Sequence, residues 1–514
     1  MRGKLFDRFF RCRLACVKVA VVGGGPVGIY FAKLCLDQGH NVTLIESGNL
    51  HEESKLLNKK NYVFNSPSAM PAGVHRIGGG STLWRARISE FQQLDFENKD
   101  NKEFEQWPFG KDELASHYAN LYKLLGAGDF SDEEFLARHF SRESNLLPQS
   151  LEMRIFRFCK ADFFIKLFKS IQDHPNLDVL EGHLCKKISK SEFGSEINLE
   201  LLQKSSNLIM QSFDSVVISC GTLQSAALLE RSESLVTPGF SNVLGKYLME
   251  HLEGYVGKVW VFRKEDRKFF ESMELDNENR AIKAFHGAGV ALALRSQKGA
   301  HARKINVHFE FRKPMPIFYF QEVKEKYTFS IGSLGDTFFR IIIFFERAVS
   351  YVLRRLRSIL YKIVRVNLYS VYVKAEEIPF KESKGCLADA DDNLLIYEHQ
   401  VSDATYEKLC DAISNFQMVF NSHFRAKIKF YKKARSVTGL RTIFGSNWHP
   451  MGTTRMGSSI SNSIVNSDLQ IHGTPNCYVL SASVFPTGSN SNPTFTTLAL
   501  ASRLSETEFF SKSQ

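Results

Sequence analysis

One stretch near the start constrains the fold more than any other. Residues 18–46 read KVAVVGGGPVGIYFAKLCLDQGHNVTLIE. An apolar run enters Gly23, Gly25 and Gly28, a helix is predicted over residues 29–38 with Gly39 as its stop, and a second strand over residues 42–45 ends at Glu46. Glycines at these three places permit a tight turn, close approach of the backbone to a pyrophosphate, and close helix–strand packing. The acid at the end of the second strand is placed to accept a hydrogen bond from a ribose. Strand, loop, helix, strand and acid in this order predict an α/β unit that binds a dinucleotide, without separating FAD from NAD.

A second glycine turn separates them. Residues 71–90, PAGVHRIGGGSTLWRARISE, carry Gly78, Gly79 and Gly80 ahead of Ser81 and Thr82. A nicotinamide dehydrogenase has no special need of small residues here. In a flavoprotein such a loop lets backbone N–H groups approach the diphosphate and the flavin edge. The strand–glycine–helix pattern returns at FDSVVISCGTLQSAALLE, with a strand over 216–219, then Gly221, then a helix over 223–229.

Two residues near the C-terminus suit chemistry on an alcohol. They lie in NWHPMGTTRMG and in SASVFPTGSNSNPTFTTLALASRL. His449 as a neutral imidazole accepts a proton from a hydroxyl. Asn492 donates a hydrogen bond to the resulting alkoxide. Each has a plainer reading. His449 precedes Pro450 and suits a turn, and Asn492 followed by Pro493 is a good helix start, with Asn at the N-cap and Pro at the first helical position. That helix start also offers partial positive charge to an anionic ring. Neither residue accepts a hydride, so the redox group must come from elsewhere.

These motifs together resemble the glucose–methanol–choline (GMC) oxidoreductase family. The resemblance runs through GGGPVG with Glu46, GGGSTLW, WPFGKDELASHYANLY, NVLGKYLMEHL, HPMGTTRMG and SNPTFTTLALA. It implies an α/β protein with a discontinuous Rossmann-like FAD-binding domain and a substrate-binding domain of β-sheet plus helices. It implies oxidation of CH–OH groups, with His449 as base, hydride transfer to flavin N5 and Asn492 beside it. The cofactor residues implied are Gly23, Gly25, Gly28, Glu46, Gly79, Gly80, Ser81, Cys185, Gly221, Ala482 and Pro493. Cys185 and Gly221 serve equally as packing positions. Where covalent members carry a histidine two residues after the loop serine, this chain has Leu83, which implies non-covalent FAD. Where an aspartate is common it has Ser481, leaving the Ala482 backbone as the contact.

The predicted organisation is FAD-binding at 17–105, a helical excursion at 106–160, FAD-binding again at 161–253, a substrate-binding domain at 254–435, and a third FAD-binding part at 436–507. Nine scattered cysteines without a CxxC pair argue for a reducing compartment and against a disulfide framework or zinc site. The missing CxxC also argues against a flavin-dependent disulfide enzyme. The net charge of +11 is concentrated, with +5 in residues 1–18 and +6 in residues 337–366. A nucleic-acid groove spread over the fold is therefore not expected. On a helix, Arg340, Arg347, Arg354, Arg355, Lys362 and Arg365 fall on one side of 337–366, opposite a wide apolar face. That pattern predicts either a helix packed on its own domain or contact with an anionic membrane surface, with residues 1–18 adding to it; the expected location is cytoplasmic, and the second alternative would place the protein on the inner face of a membrane. The expected substrate is a small alcohol, polyol or sugar, and the electron acceptor is open. The alternative is a protein of the same fold that holds FAD without turnover.

Overall fold

The computed structural model describes residues 16–52, 62–64, 74–97, 106–128, 131–191, 195–203, 206–235, 242–273, 288–294, 305–312, 367–388, 391–445 and 449–507. The basic segment 337–366 and residues 1–15 lie outside them. No helix among the described residues is long and apolar enough to cross a membrane.

Two sheets carry the architecture. The first is parallel, in the order Cys477–Val479, Ser215–Ile218, Lys18–Val22, Asn41–Glu46, Leu177–Glu181. Its central strands are apolar along nearly their whole length because helices and loops cover both faces, and Val19, Val21, Leu44 and Val217 are fully buried. Strands from four distant parts of the chain share this sheet, so the unit is discontinuous, as expected. The first crossover helix spans Pro26–Asp37, three residues longer at its start than the pattern predicts, because proline is well suited to the first helical position. It packs on the C-terminal helix, Pro493–Glu506.

The second sheet is antiparallel, in the order Ala426–Phe430, Leu252–Val261, Asn367–Ala375, Val307–Arg312, Ala288–Leu294, Leu151–Phe158, Arg87–Ile88. This corrects the expected helical excursion at 106–160. Residues 111–145 do contain helices, but Leu151–Phe158 is a strand of this sheet. The apolar face, including Val256, Phe309, Phe311, Val371 and Val373, packs with Leu409, Ile413, Phe416 and Phe420 of the helix Asp403–His423. Phe309 and Phe416 stack with centroids 3.7 Å apart. Alternate residues must then point the other way. These are Glu253, Tyr255, His308, Glu310, Arg312, Ser370, Tyr372 and Lys374. Residues 183–213 form a separate three-stranded meander.

The turn after the first strand shows what its glycines are for. Gly23 has φ +113°, and a Cβ there would lie 2.6 Å from the Ser219 carbonyl oxygen. A Cβ on Gly28 would lie 2.0 Å from the Gly23 carbonyl oxygen and 2.6 Å from Ser219 Oγ. Gly28→Ala is therefore expected to lower stability by about 1–3 kcal/mol through overpacking, read as a lower urea midpoint. An unchanged midpoint would show that the helix shifts freely.

Candidate active site

A cavity of about 1320 Å³ is lined by residues of both sheets. Gly23, Gly25, Glu46, Gly79, Gly80, Ser81, Cys185, Gly221, Ala482 and Pro493 line it, together with His449 and Asn492. Of the residues expected to touch a cofactor, only Gly28 is absent from the wall, because it packs the crossover helix onto the first strand.

The two glycine turns meet. The Gly78 N–H donates to the Gly24 carbonyl at 2.8 Å, and a Cβ on Gly79 would lie 3.0 Å from Gly25 Cα. A Cβ on Gly25 or Gly80 would meet no protein atom within 4 Å. Protein packing therefore does not explain why these two are glycine. Gly25 is also the N-cap of the first crossover helix and offers no side chain to its opening N–H groups. An open cradle at a helix start fits a diphosphate. Glu46 lines the cavity with Oε2 accepting from the Gly24 N–H at 2.8 Å and Oε1 from the Gly48 N–H at 3.0 Å. Burial pushes its carboxyl above the usual range, against these hydrogen bonds. The Ser81 hydroxyl turns inward and donates to the Gly78 carbonyl at 2.6 Å. It braces the second turn, leaving the loop backbone to face the cavity.

His449 owes its position to a register. Met249 and Met451 pair as an antiparallel bridge, which sets His251 opposite His449. Their rings lie 4.5 Å apart. Thr222 Oγ1 donates to the Pro450 carbonyl at 2.6 Å and pins the turn. Nδ1 of His449 is buried without a hydrogen-bond partner among the described residues. Burial, then the neighbouring His251 and Lys374, hold its pKa well below that of a free imidazole, while Glu253 opposes them. His449 is therefore neutral near pH 7, the state a general base requires.

Behind it stands a charged group that the sequence motifs did not single out. Glu253 Oε1 lies 2.9 Å from His251 Nε2 and 2.7 Å from Lys374 Nζ, and its other oxygen accepts from the Tyr372 hydroxyl. Lys374 Nζ also donates to Asn492 Oδ1 at 2.9 Å. An ammonium only donates, so the amide presents its oxygen to Lys374 and its nitrogen elsewhere. Asn492 does occupy the N-cap position, but its side chain makes no cap hydrogen bond. The expected cap is replaced by the bond to Lys374. Burial pushes Lys374 down to about 8, opposed by Glu253. The ligand atoms of His251, Glu253 and His449 lie within 4.8 Å of one another, a spacing a metal could use. Lys374 already supplies the positive charge that this carboxylate needs.

Known proteins were compared with the chain. Residues 383–501 match the family model described as GMC oxidoreductase. Over this region the chain is similar to the GMC oxidoreductases. His449 and Asn492 both fall inside the match. Dehydrogenase str4 of Strobilurus tenacellus is 39% identical over 61 residues, which is 12% of this chain. The match spans 10% of that relative's length. Among solved structures, a pyridoxine 4-oxidase from Mesorbium loti aligns at TM-score 0.57 and 16% identity, over 95% of this chain and 98% of its own. A formate oxidase of Aspergillus oryzae RIB40, studied for the effect of a mutation on FAD modification, aligns at 0.57 and 15%, over 95% and 97%. A fungal aryl-alcohol oxidase aligns at 0.53 and 14%, over 97% and 99%. At these identities the likeness shows the fold alone, a Rossmann-like dinucleotide unit included, and leaves the substrate open.

Three variants test this site. Gly25→Val should leave the urea midpoint near that of the parent while lowering flavin content, because its side chain meets only the open cradle. Loss of folding instead would show that Gly25 is a packing residue. Lys374→Met strands the Glu253 carboxylate and should cost about 3–5 kcal/mol of unfolding free energy, most of it recovered in Lys374→Met/Glu253→Gln. A double variant as unstable as the single one would show that the pair is not coupled.

Proposed function

We propose that this protein is an FAD-dependent oxidoreductase acting on CH–OH groups of a small alcohol, polyol or sugar. The observation that carries the reading is a neutral histidine, His449, lining one cavity with the glycine cradle and Asn492. Gly25, Gly79 and Gly80 would hold the diphosphate with their backbones, Glu46 a ribose, and the turn at Ala482 and the helix start at Pro493 the flavin end. Bound FAD would supply a hydride acceptor at N5.

The chain's own residues then have separable tasks. His449 takes the hydroxyl proton as the carbon-bound hydride leaves. Asn492, held by Lys374, turns its amide nitrogen away from the ammonium and donates to the developing alkoxide. The helix Pro493–Glu506 adds its positive end. The nearby Lys374 charge favours an alkoxide but opposes imidazolium on His449, so proton transfer is expected to be completed only together with hydride loss.

FAD binding is proposed to be non-covalent, since Leu83 has no ring nitrogen to attach it. Acid precipitation should leave the yellow colour in the supernatant, and flavin in the pellet would refute this. His449→Ala should retain flavin and slow its reduction by substrate about 10²–10⁴-fold. The parental rate should hold as pH falls below 6.5, because His449 protonates only well below that value. A screen of alcohols, polyols and sugars with an artificial electron acceptor tests the whole reading. Flavin that no donor reduces would favour a binding role without turnover.

A further inference from the structure

The substrate side of the cavity carries polar groups that the proposed proton and hydride transfer does not use. Arg312 is 5% exposed and lines the cavity on the polar face of the antiparallel sheet. Its Nε and Nη2 both donate to Glu310 Oε2, at 3.0 and 2.5 Å. Glu310 is shared, for its Oε1 accepts from Arg87 Nη2 at 2.6 Å. Nη1 of Arg312 has no hydrogen-bond partner among the described residues. The guanidinium lies over the Tyr372 ring at 3.4 Å, which fixes its plane. Tyr255, the cross-strand neighbour of Tyr372, packs edge-on against it with centroids 4.8 Å apart. Its hydroxyl also lacks a partner among the described residues, and it too lines the cavity. Tyr431 and Lys433 continue this wall.

A guanidinium so deeply buried is ordinarily matched fully by acceptors. Here Arg312 Nη1 and the neighbouring Tyr255 hydroxyl have no acceptor among the described residues and open into the cavity that holds His449. Two donors, one of them charged, call for an anionic acceptor. The tyrosine rings beside them provide apolar surface for the carbon skeleton.

Building on the proposed oxidation of CH–OH groups, we propose that the substrate is a hydroxy acid, whose carboxylate is bound by Arg312 Nη1 and the Tyr255 hydroxyl while its alcohol faces His449. Arg312 and Tyr255 are then specificity-determining residues. Glu310 and Tyr372 position the guanidinium.

Isothermal titration calorimetry on the flavin-loaded protein tests the anion site without turnover. Acetate and benzoate should bind, and benzamide and inorganic phosphate should bind at least tenfold more weakly. Arg312→Gln should weaken the carboxylates tenfold or more, the loss expected of a charged donor. Tyr255→Phe, which removes one hydroxyl and keeps the ring, should weaken them roughly three- to tenfold. Flavin content and urea midpoint, measured on each variant, show whether it is folded. Failure of both carboxylates to bind, equal binding of benzoate and benzamide, stronger binding of phosphate, or carboxylate affinity unchanged in folded Arg312→Gln would overturn the proposal. Turnover of 4-(hydroxymethyl)benzoate should exceed that of benzyl alcohol in kcat/KM, with the difference mostly in KM. If neither alcohol reduces the flavin while the carboxylates bind as expected, the oxidation reading fails and the anion site stands.

Discussion

The ion pair between Glu253 and Lys374 is the constraint on which the candidate site depends. These residues face each other across adjacent strands, on the side of the sheet turned away from its apolar core. Both are taken out of water, so each charge requires the other. Through Glu253 the pair reaches His251 and Tyr372, and through Lys374 it reaches Asn492. His251, Asn492 and the Tyr372 ring that carries Arg312 are thus tied to one buried interaction. Burial pulls Lys374 towards neutrality and Glu253 holds it charged near pH 7.

The glycine turns divide their work along the same lines. Gly23 and Gly28 are small because protein atoms crowd them. Gly25 and Gly80 are small although nothing in the protein crowds them. A sequence motif treats these glycines alike, but their surroundings separate folding from binding. Asn492 shows the reverse case, since an N-cap residue followed by proline fits a local rule, yet its side chain is bonded to a lysine of the antiparallel sheet.

The antiparallel sheet has two buried faces of opposite character. One is packed on a helix by aromatic and branched side chains. The other carries three acid or base pairs and several tyrosines towards the cavity. Such a face is stable only because its charges are matched, Glu253 by Lys374 on the adjacent strand and Glu310 by Arg312 of its own strand and by Arg87. The incomplete match at Arg312 stands out against that pattern.

The sequence by itself determined the dinucleotide unit, the second glycine turn, and the places of His449 and Asn492. These are local signals, in which a few residues at fixed spacing impose a backbone path or a chemistry. It also held the alternation in VHFEFR and SVYVKA, which marks the polar face of each strand but not what that face meets. Only the tertiary structure brought Glu253, Arg312 and Lys374 to the cavity, set His251 against His449, moved Leu151–Phe158 from a helical region into the sheet, and gave the Asn492 side chain its partner. The reason is that strand register and sheet order arise from pairings between residues tens to hundreds of positions apart. A charge in a strand reads as solvent-facing until the opposing sheet that buries it is known.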